Sequence, residues 1–200
     1  MKIYDISQEV FGCEVYPGDP SPEKYALKRM SEGAMYNLTA FRMCAHNGTH
    51  VDAPFHFYRD GKTVDQTELE RYIGLAYVAE QEGDITAEDA AALLKKARAA
   101  DRAAAERILV KGRAVLTADA ARAFAEAGVL LYGNESQSVG PVDAPAEVHR
   151  ILLGAETVLL EGIRLGEVPE GVYFLNAAPV NLSGADGAPC RAVLVDMEKK

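Results

Sequence analysis

No stretch of the sequence approaches the roughly 18 uninterrupted apolar residues that a membrane-spanning helix requires. The first ten residues, MKIYDISQEV, have no apolar run behind Lys2, so we expect no secretory signal. Basic residues are also few: 21 Lys and Arg stand against 30 Asp and Glu, a formal charge of −9. Because phosphate binding needs a basic patch, nucleic-acid and membrane partners are not expected. A small-molecule partner is the better prediction.

Cysteine is scarce as well. Cys13, Cys44 and Cys190 are an odd number at wide spacing, with no C-x-x-C pair. This pattern excludes a disulfide framework and a thiolate zinc finger, and it favours the reducing cytoplasm. There is no internal repeat, low-complexity tract or linker either. With 48% apolar and 26% charged residues, we expect one globular domain over residues 1–200.

Apolar and β-rich runs bounded by Gly and Pro predict strands at both ends of the chain. The predicted strands are 2–7, 24–30, 34–46, 106–112, 128–133, 157–163, 171–180 and 190–197. Between them, helices are predicted over 86–100, 117–128 and 145–154, the first two capped by Thr86 and Thr117. The alternation of strands and helices predicts a single α/β domain with a mixed sheet.

Residues 46–56, HNGTHVDAPFH, hold three of the four histidines. A helix would place His46 and His50 on one face, but Gly48 and Pro54 oppose a helix there. In an extended chain, the side chains at 46, 50, 52 and 56 share one side. A straight strand would still separate His46 from His50 by roughly 13 Å. We therefore expect a distorted strand or tight turn through Gly48–Thr49.

Imidazoles with a carboxylate suit Zn²⁺, and also Mn²⁺, Fe²⁺ or Co²⁺. Three histidines of matched parity with Asp52 favour a metal site over a chance cluster. Two further candidates lie far along the chain. His149 belongs to the third predicted helix, where it is equally well explained as a helix-boundary residue. Glu161 follows three apolar strand residues, and a carboxylate buried there needs a partner or a metal.

The run HNGTHVDAPFHF resembles the H-x-G-T-H-x-D-x-P-x-H signature of the cyclase family of metal-dependent hydrolases. This family includes bacterial kynurenine formamidases (arylformamidases) and isatin hydrolases. The likeness extends to VYPGDPSPE near the start, to LLYGNESQSVGPVD, and to the closing half from residue 149. The resemblance implies the family's swivelling β/α/β arrangement and a homodimer or homotetramer.

Carried over by position, the resemblance implies that His46, His50 and Asp52 bind a first metal ion. Asp52 would bridge to a second ion, completed by His149 and Glu161. The ions would be Zn²⁺, two per chain, with Mn²⁺ as the alternative. His56 would be the catalytic acid/base, although it could instead orient a neighbouring ligand.

The substrate contacts are less constrained. Aromatic side chains near the front could form the wall of a pocket, or could simply pack in the core or an interface: Phe11, Tyr16, Phe55, Phe57 and Tyr58. Asp19 belongs to the P-G-D turn of the resemblance. Cys44 could be a thiolate ligand, but a small buried apolar residue is the better interpretation.

The resemblance implies a hydrolase that cleaves a C–N amide bond, with N-formylkynurenine of tryptophan degradation as the candidate substrate. A cyclic amide of the isatin type is the alternative substrate, and a non-catalytic metal-binding scaffold is the alternative class. Three residues depart from the family pattern: Asn47, Asn134 and Gly140. None of them is an implied metal ligand, so they affect the expected substrate and not the expected metal.

Overall fold

The computed structural model describes residues 1–196, which form thirteen strands and three α-helices. The strands are β1 (Lys2–Asp5), β2 (Glu23–Lys28), β3 (Leu38–Arg42), β4 (His50–Asp52), β5 (Ile73–Glu80), β6 (Gly83–Ile85), β7 (Arg107–Lys111), β8 (Ala114–Leu116), β9 (Leu131–Asn134), β10 (Val158–Glu161), β11 (Gly171–Asn176), β12 (Gly187–Pro189) and β13 (Val193–Asp196). The helices are α1 (Ala87–Ala100), α2 (Ala118–Glu126) and α3 (Ala146–Gly154).

Nine of these strands form one sheet, in the order β1-β13-β11-β5-β7-β9-β10-β4-β12. The central strands β5, β7, β9 and β10 run parallel to one another. Antiparallel strands extend the sheet on both sides, with β11 on β5 and β4 on β10. The prediction of an α/β fold with a mixed sheet is confirmed.

Each face of this sheet has its own apolar core, because successive strand residues point to opposite sides. In β5, Tyr77 and Ala79 pack toward the helices, together with Phe124 of α2. Ala76 and Val78 point to the other face and pack with residues of β4, β10 and β13. The strands are therefore covered on both sides, which is the usual condition of a parallel sheet.

The helix boundaries agree with the predicted caps. Thr86 and Asp89 form a reciprocal capping box at the start of α1, with each side chain bonded to the other's backbone N–H. Thr117 Oγ1 accepts the Ala120 N–H at the start of α2. Gly128 follows the end of α2 with a φ of 74°, as expected for a helix stop.

The strand prediction was less accurate. The strand predicted over 34–46 is too long, since β3 covers only Leu38–Arg42 and a turn follows it. No strand was predicted where β5, β6, β8 and β12 lie. The predicted strand over 190–197 contains β13, and its last residue, Met197, lies outside the described residues.

The hairpin of β2 and β3 is separate from the large sheet. Every residue of β2 is exposed, and seven large apolar side chains within 25–41 are exposed, with Met35 at 90%. Phe11 packs edge-on against Phe41, with ring centroids 6.3 Å apart. Because an isolated two-stranded hairpin is marginal in water, this ring contact helps to hold it.

The expected homodimer or homotetramer stays a prediction.

No helix within residues 1–196 combines the length and the apolar character that crossing a membrane requires. The expected cytoplasmic location stays a prediction.

Gly162, directly after β10, brings three segments of the chain together. Its φ is 68°, in the left-handed region that side chains rarely adopt. A Cβ at this position would collide with the carbonyl oxygen of Gly48 and with the side-chain amides of Gln8 and Gln137. The close approach of β10 to the histidine-rich turn therefore depends on a glycine here.

We expect Gly162→Ala to lower the free energy of unfolding by at least about 2 kcal/mol, because it combines left-handed strain with a backbone collision. Urea unfolding followed by circular dichroism measures the loss. Gly166→Ala is the matched control, since a Cβ at Gly166 has no neighbour within 4 Å and its φ lies outside the left-handed region. Equal stability of the two variants would contradict this account of Gly162.

Candidate metal centre

The histidine-rich segment makes a tight turn before it enters the sheet. Gly48 has a φ of 64°, its N–H donates to Glu14 O at 3.3 Å, and β4 begins at His50. The turn brings the rings of His46 and His50 to a centroid separation of 5.0 Å. The expected distortion at Gly48–Thr49 is confirmed, and it removes the distance problem of a straight strand.

Strand register places the next two groups. In the antiparallel pair of β4 and β10, Glu161 lies opposite His50, and Leu159 lies opposite Asp52. The ring Nε2 of His50 is 3.4 Å from a carboxylate oxygen of each acid, Asp52 Oδ1 and Glu161 Oε2. His50 and Glu161, which are 111 positions apart in sequence, thus become neighbours by strand pairing alone.

Helix α3 adds His149 from above the sheet. Its Nε2 lies 3.2 Å from Glu161 Oε1 and 3.6 Å from Asp52 Oδ2. Glu161 Oε1 also accepts the backbone N–H of Val139 at 2.8 Å, which fixes the carboxylate. The structure therefore brings His149 and Glu161 together with the histidine-rich segment.

Asp52 lies at the centre of these groups, with 1% of its surface exposed. Its Oδ1 contacts His46 Nδ1 at 2.8 Å, while Oδ2 faces His149 and has no hydrogen-bond partner within residues 1–196. Two possible ligand groups share this residue: His46, His50 and Asp52, and Asp52, His149 and Glu161. In each group, the ligand atoms lie within 4.8 Å of one another.

Backbone carbonyls set the orientation of two of the histidines. His50 Nδ1 donates to Gly48 O at 3.0 Å, and His149 Nδ1 donates to Pro145 O at 2.8 Å. A carbonyl can only accept, so both Nδ1 atoms carry hydrogen and both Nε2 atoms face the carboxylates. Such outer hydrogen bonds are typical of metal-binding histidines, because they fix the ring and leave the other nitrogen for the ion.

Hydrogen bonds within the cluster shift the pKa values of its histidines and of Asp52. Burial opposes protonation of His46 and His50, but hydrogen bonds to the carboxylates outweigh it. Asp186 and Asp52 raise the pKa of His46 to about 11, and Asp52 and Glu161 raise the pKa of His50 to about 9. Burial alone would raise the pKa of Asp52, yet its hydrogen bonds to His46 and His50 hold that pKa well below its usual range.

Asp186 is a site residue that the sequence reasoning missed. One oxygen, Oδ2, contacts His46 Nε2 at 2.9 Å and His56 Nδ1 at 3.0 Å. The ring of His56 lies over that of His46, with centroids 4.2 Å apart. These three residues form a third group of possible ligand atoms, on the more exposed side of the cluster. An acid between Ala185 and Gly187, directly before β12, was the only local signal.

The donor set fits a divalent cation. Imidazole nitrogens and carboxylate oxygens are the ligand types of Zn²⁺ and of neighbouring transition metals. The unpartnered Asp52 Oδ2 is a buried acceptor of the kind that an ion satisfies. A positive ion would also replace the histidine protons that now balance the charge of these carboxylates.

A cavity of about 400 Å³ opens onto the cluster. Tyr16, Asp19 and Phe57, which were predicted to contact the substrate, line it, and the ring centroids of Phe57 and His149 are 4.7 Å apart. Their contact with a substrate stays a prediction. Phe11 lies elsewhere, packed against Phe41 of the hairpin, and it does not line this cavity. Cys44 lines the cavity, but its thiol is directed to Asp19 Oδ2 at 3.8 Å and it belongs to none of the ligand groups.

The other two aromatic candidates, Phe55 and Tyr58, are exposed and lie outside the cavity wall. The Tyr58 hydroxyl donates to Arg150 O at 2.7 Å, so this side chain fastens α3 to the loop after β4.

The three departures from the family pattern have structural roles near the site. Asn47 Oδ1 accepts the Cys44 N–H at 2.8 Å and so closes the histidine turn. Asn134 Nδ2 donates to Ser138 O at 3.2 Å. A Cβ at Gly140 would lie 3.1 Å from Val148 Cβ, so a larger residue there would press on α3.

Comparisons with known proteins show which family the chain resembles. A family model described as "Putative cyclase" matches residues 4–141. The kynurenine formamidase of Salinibacter ruber is 35% identical over 212 aligned positions, which cover 98% of each chain.

Two solved structures show the same fold. One is described as a potential metal-dependent hydrolase with cyclase activity; it has a TM-score of 0.82 and 28% identity, and 99% of each chain is covered. The other is isatin hydrolase A from Labrenzia aggregata, with a TM-score of 0.82 over 97% of this chain and 93% of that one. At 20% identity, the second likeness concerns the fold alone.

We expect divalent-metal binding at pH 7.5 to release about two protons per chain, since His46 and His50 are protonated there and must lose a proton to bind an ion. Affinity should therefore rise as pH increases from 6.5 to 8.5. Calorimetric titration of the metal-free protein in buffers of different ionisation enthalpy measures the release. A pH-independent affinity with no proton release would contradict this description of the cluster.

Proposed function

Because the chain belongs to the cyclase family of metal-dependent hydrolases, we propose that it hydrolyses the C–N bond of an amide, with N-formylkynurenine as the candidate substrate. This compound is the amide that a kynurenine formamidase, such as the Salinibacter ruber relative, is named for. The reaction would belong to tryptophan degradation.

The position of Asp52 is the observation that carries the proposal. Its two carboxylate oxygens face two ligand groups, one on the histidine turn and one made by α3 and β10. We propose two Zn²⁺ ions per chain at these groups, with Mn²⁺ as the alternative. His46, His50 and Asp52 would hold one ion, and Asp52, His149 and Glu161 the other. Bound there, the ions supply Lewis-acid activation of an amide carbonyl and of water.

His56 is the group proposed to move protons. Its Nδ1 donates to Asp186 Oδ2, so its Nε2 is left to exchange a proton with the substrate. The leaving nitrogen of an amide needs a proton as the C–N bond breaks, and an imidazole is suited to deliver it near neutral pH. Asp186 fixes the ring and its tautomer, and it also holds His46.

Phe57 supplies the apolar side of the same cavity. Its ring lies 4.7 Å from both His149 and His56, measured between centroids. An aryl group packed on Phe57 would bring an attached amide next to the histidines. A volume of about 400 Å³ is within the usual range of small-molecule sites.

The first test combines metal analysis with a hydrolysis assay. We expect about two equivalents of Zn²⁺ or Mn²⁺ per chain and rapid deformylation of N-formylkynurenine, followed by absorbance. Isatin is the second substrate, because the isatin hydrolase likeness extends to the fold. Turnover of isatin alone would move the proposal to cyclic amides. A chain that takes up no added Zn²⁺ or Mn²⁺ would overturn the metal assignment.

We expect His56→Ala to lower kcat by a factor of roughly 10² to 10⁴, with the metal content unchanged, because proton transfer is lost while the ligands remain.

Asp186→Asn should lower kcat by roughly 10- to 100-fold through loss of His56 orientation. The measurements are steady-state kinetics and metal analysis of each variant.

Asp84→Asn is the control for Asp186, since Asp84 is exposed in β6, away from the cavity. It should leave kcat and metal content as in the parent chain. If Asp186→Asn behaves in the same way, Asp186 has no role in positioning His56.

A further inference from the structure

The loop between β9 and α3 carries a second set of polar groups beside the metal centre. Its backbone is fastened at three points. Gly162 N–H donates to Ser136 O at 2.7 Å, Leu116 N–H donates to Val139 O at 3.0 Å, and Val139 N–H donates to Glu161 Oε1. The loop is therefore hydrogen-bonded both to β8 and to the end of β10, where Glu161 is a proposed metal ligand.

Two side chains of this loop carry buried polar atoms that make no hydrogen bond within residues 1–196. Ser138 is 3% exposed, and its Oγ is buried without a hydrogen-bond partner among residues 1–196. Both amide atoms of Gln137 are likewise buried and unpartnered there. Buried polar atoms are hydrogen-bonded in the great majority of cases, and each unmet one costs about 1–3 kcal/mol. Three such atoms on adjacent residues point to a ligand.

Both side chains line the cavity that contains the histidines. They also line an adjoining cavity of about 340 Å³, whose wall includes Ser136 and Val142. Ser138 and Gln137 thus lie at the common wall of the two cavities, one of which also contains the histidines of the metal centre.

The chemistry of the cavity wall decides what these groups bind. Carboxylates of Asp19, Glu161 and Asp186 offer many acceptors, and none of the lining residues is Lys or Arg. The other neutral donors are already used, because Tyr16 Oη donates to Val142 O and the Cys44 thiol is directed to Asp19. Ser138 and Gln137 are the remaining neutral donors of the wall, so they suit a neutral acceptor and not a carboxylate.

We propose that the Ser138 hydroxyl and the Gln137 amide N–H bind a second carbonyl oxygen of the substrate, distinct from the carbonyl of the scissile amide. The ketone beside the formamide of N-formylkynurenine, the candidate substrate, is such a carbonyl. The inference rests on the proposed amide hydrolysis and adds the feature by which the site selects its substrate.

The test compares two formamides on the metal-loaded enzyme. Formanilide has no second carbonyl, whereas 2-formamidoacetophenone carries one beside the amide. For each variant, kcat/KM for 2-formamidoacetophenone is divided by kcat/KM for formanilide. We expect Ser138→Ala and Gln137→Met each to lower this ratio by roughly fivefold, because each removes one neutral hydrogen bond. The loss should be mainly in KM. Comparison of this ratio between each variant and the parent chain cancels the different intrinsic reactivity of the two compounds.

Gln81→Met is the matched control, because Gln81 lies away from both cavities and should leave the ratio unchanged. Thermal melting and metal analysis check that each variant is folded and loaded. If either variant fails to fold, the other carries the test. A ratio equal to that of the parent chain, or an equal loss on both substrates, overturns the inference.

If the parent chain hydrolyses neither compound, the proposed amide hydrolysis is contradicted, but the binding of a second carbonyl by Ser138 and Gln137 is not. Calorimetric binding of the same two compounds then decides the inference. Tighter binding of the keto compound that Ser138→Ala abolishes supports it, and equal binding of the two compounds overturns it.

Discussion

Asp52 carries its charge where almost no solvent reaches it, and burial of a carboxylate costs several kcal/mol unless the charge is paired. The neighbouring structure supplies those pairs. The turn at Gly48 brings His46 to one oxygen, strand pairing of β4 with β10 brings Glu161 beside His50, and α3 brings His149 to the other oxygen. Each arrangement has a local cause, but all of them serve the same buried charge. The metal centre and the junction of strands and helix are therefore one structure.

Residue type and spacing predicted the part of this site that is local, and the family resemblance added the distant His149 and Glu161. His46, His50 and Asp52 lie within seven residues, so spacing and side-chain type predict that they face one way, and Gly48 predicts where the chain bends. The contacts of Asp186 depend on a pairing 140 residues away in sequence, between its carboxylate and His46. Neither residue type nor spacing shows which loop acid completes a distant cluster, because that is decided by the order of strands in the sheet.

The fold shows the same division. Caps at Thr86 and Thr117 predicted α1 and α2 well, because a cap is a contact between residues three positions apart. Strand β5 was missed, although it is the first of the parallel strands. Its sequence, IGLAYVAE, includes a glycine and two alanines, which weaken the strand pattern. The glycine has a tertiary reason, since a Cβ at Gly74 would lie 2.8 Å from the Arg107 guanidinium.

The wide separation of the site residues also affects how the protein is made. During synthesis, His46, His50 and Asp52 emerge from the ribosome long before Glu161 and Asp186, and their contacts across β4, β10 and β12 are of high sequence separation. Such non-local pairings form late and slowly in folding. A nascent chain can offer a metal ion only the three-residue group of the histidine turn. The group of Asp52, His149 and Glu161 forms only when nearly the whole chain has been translated, so it can bind a metal ion only in the finished protein.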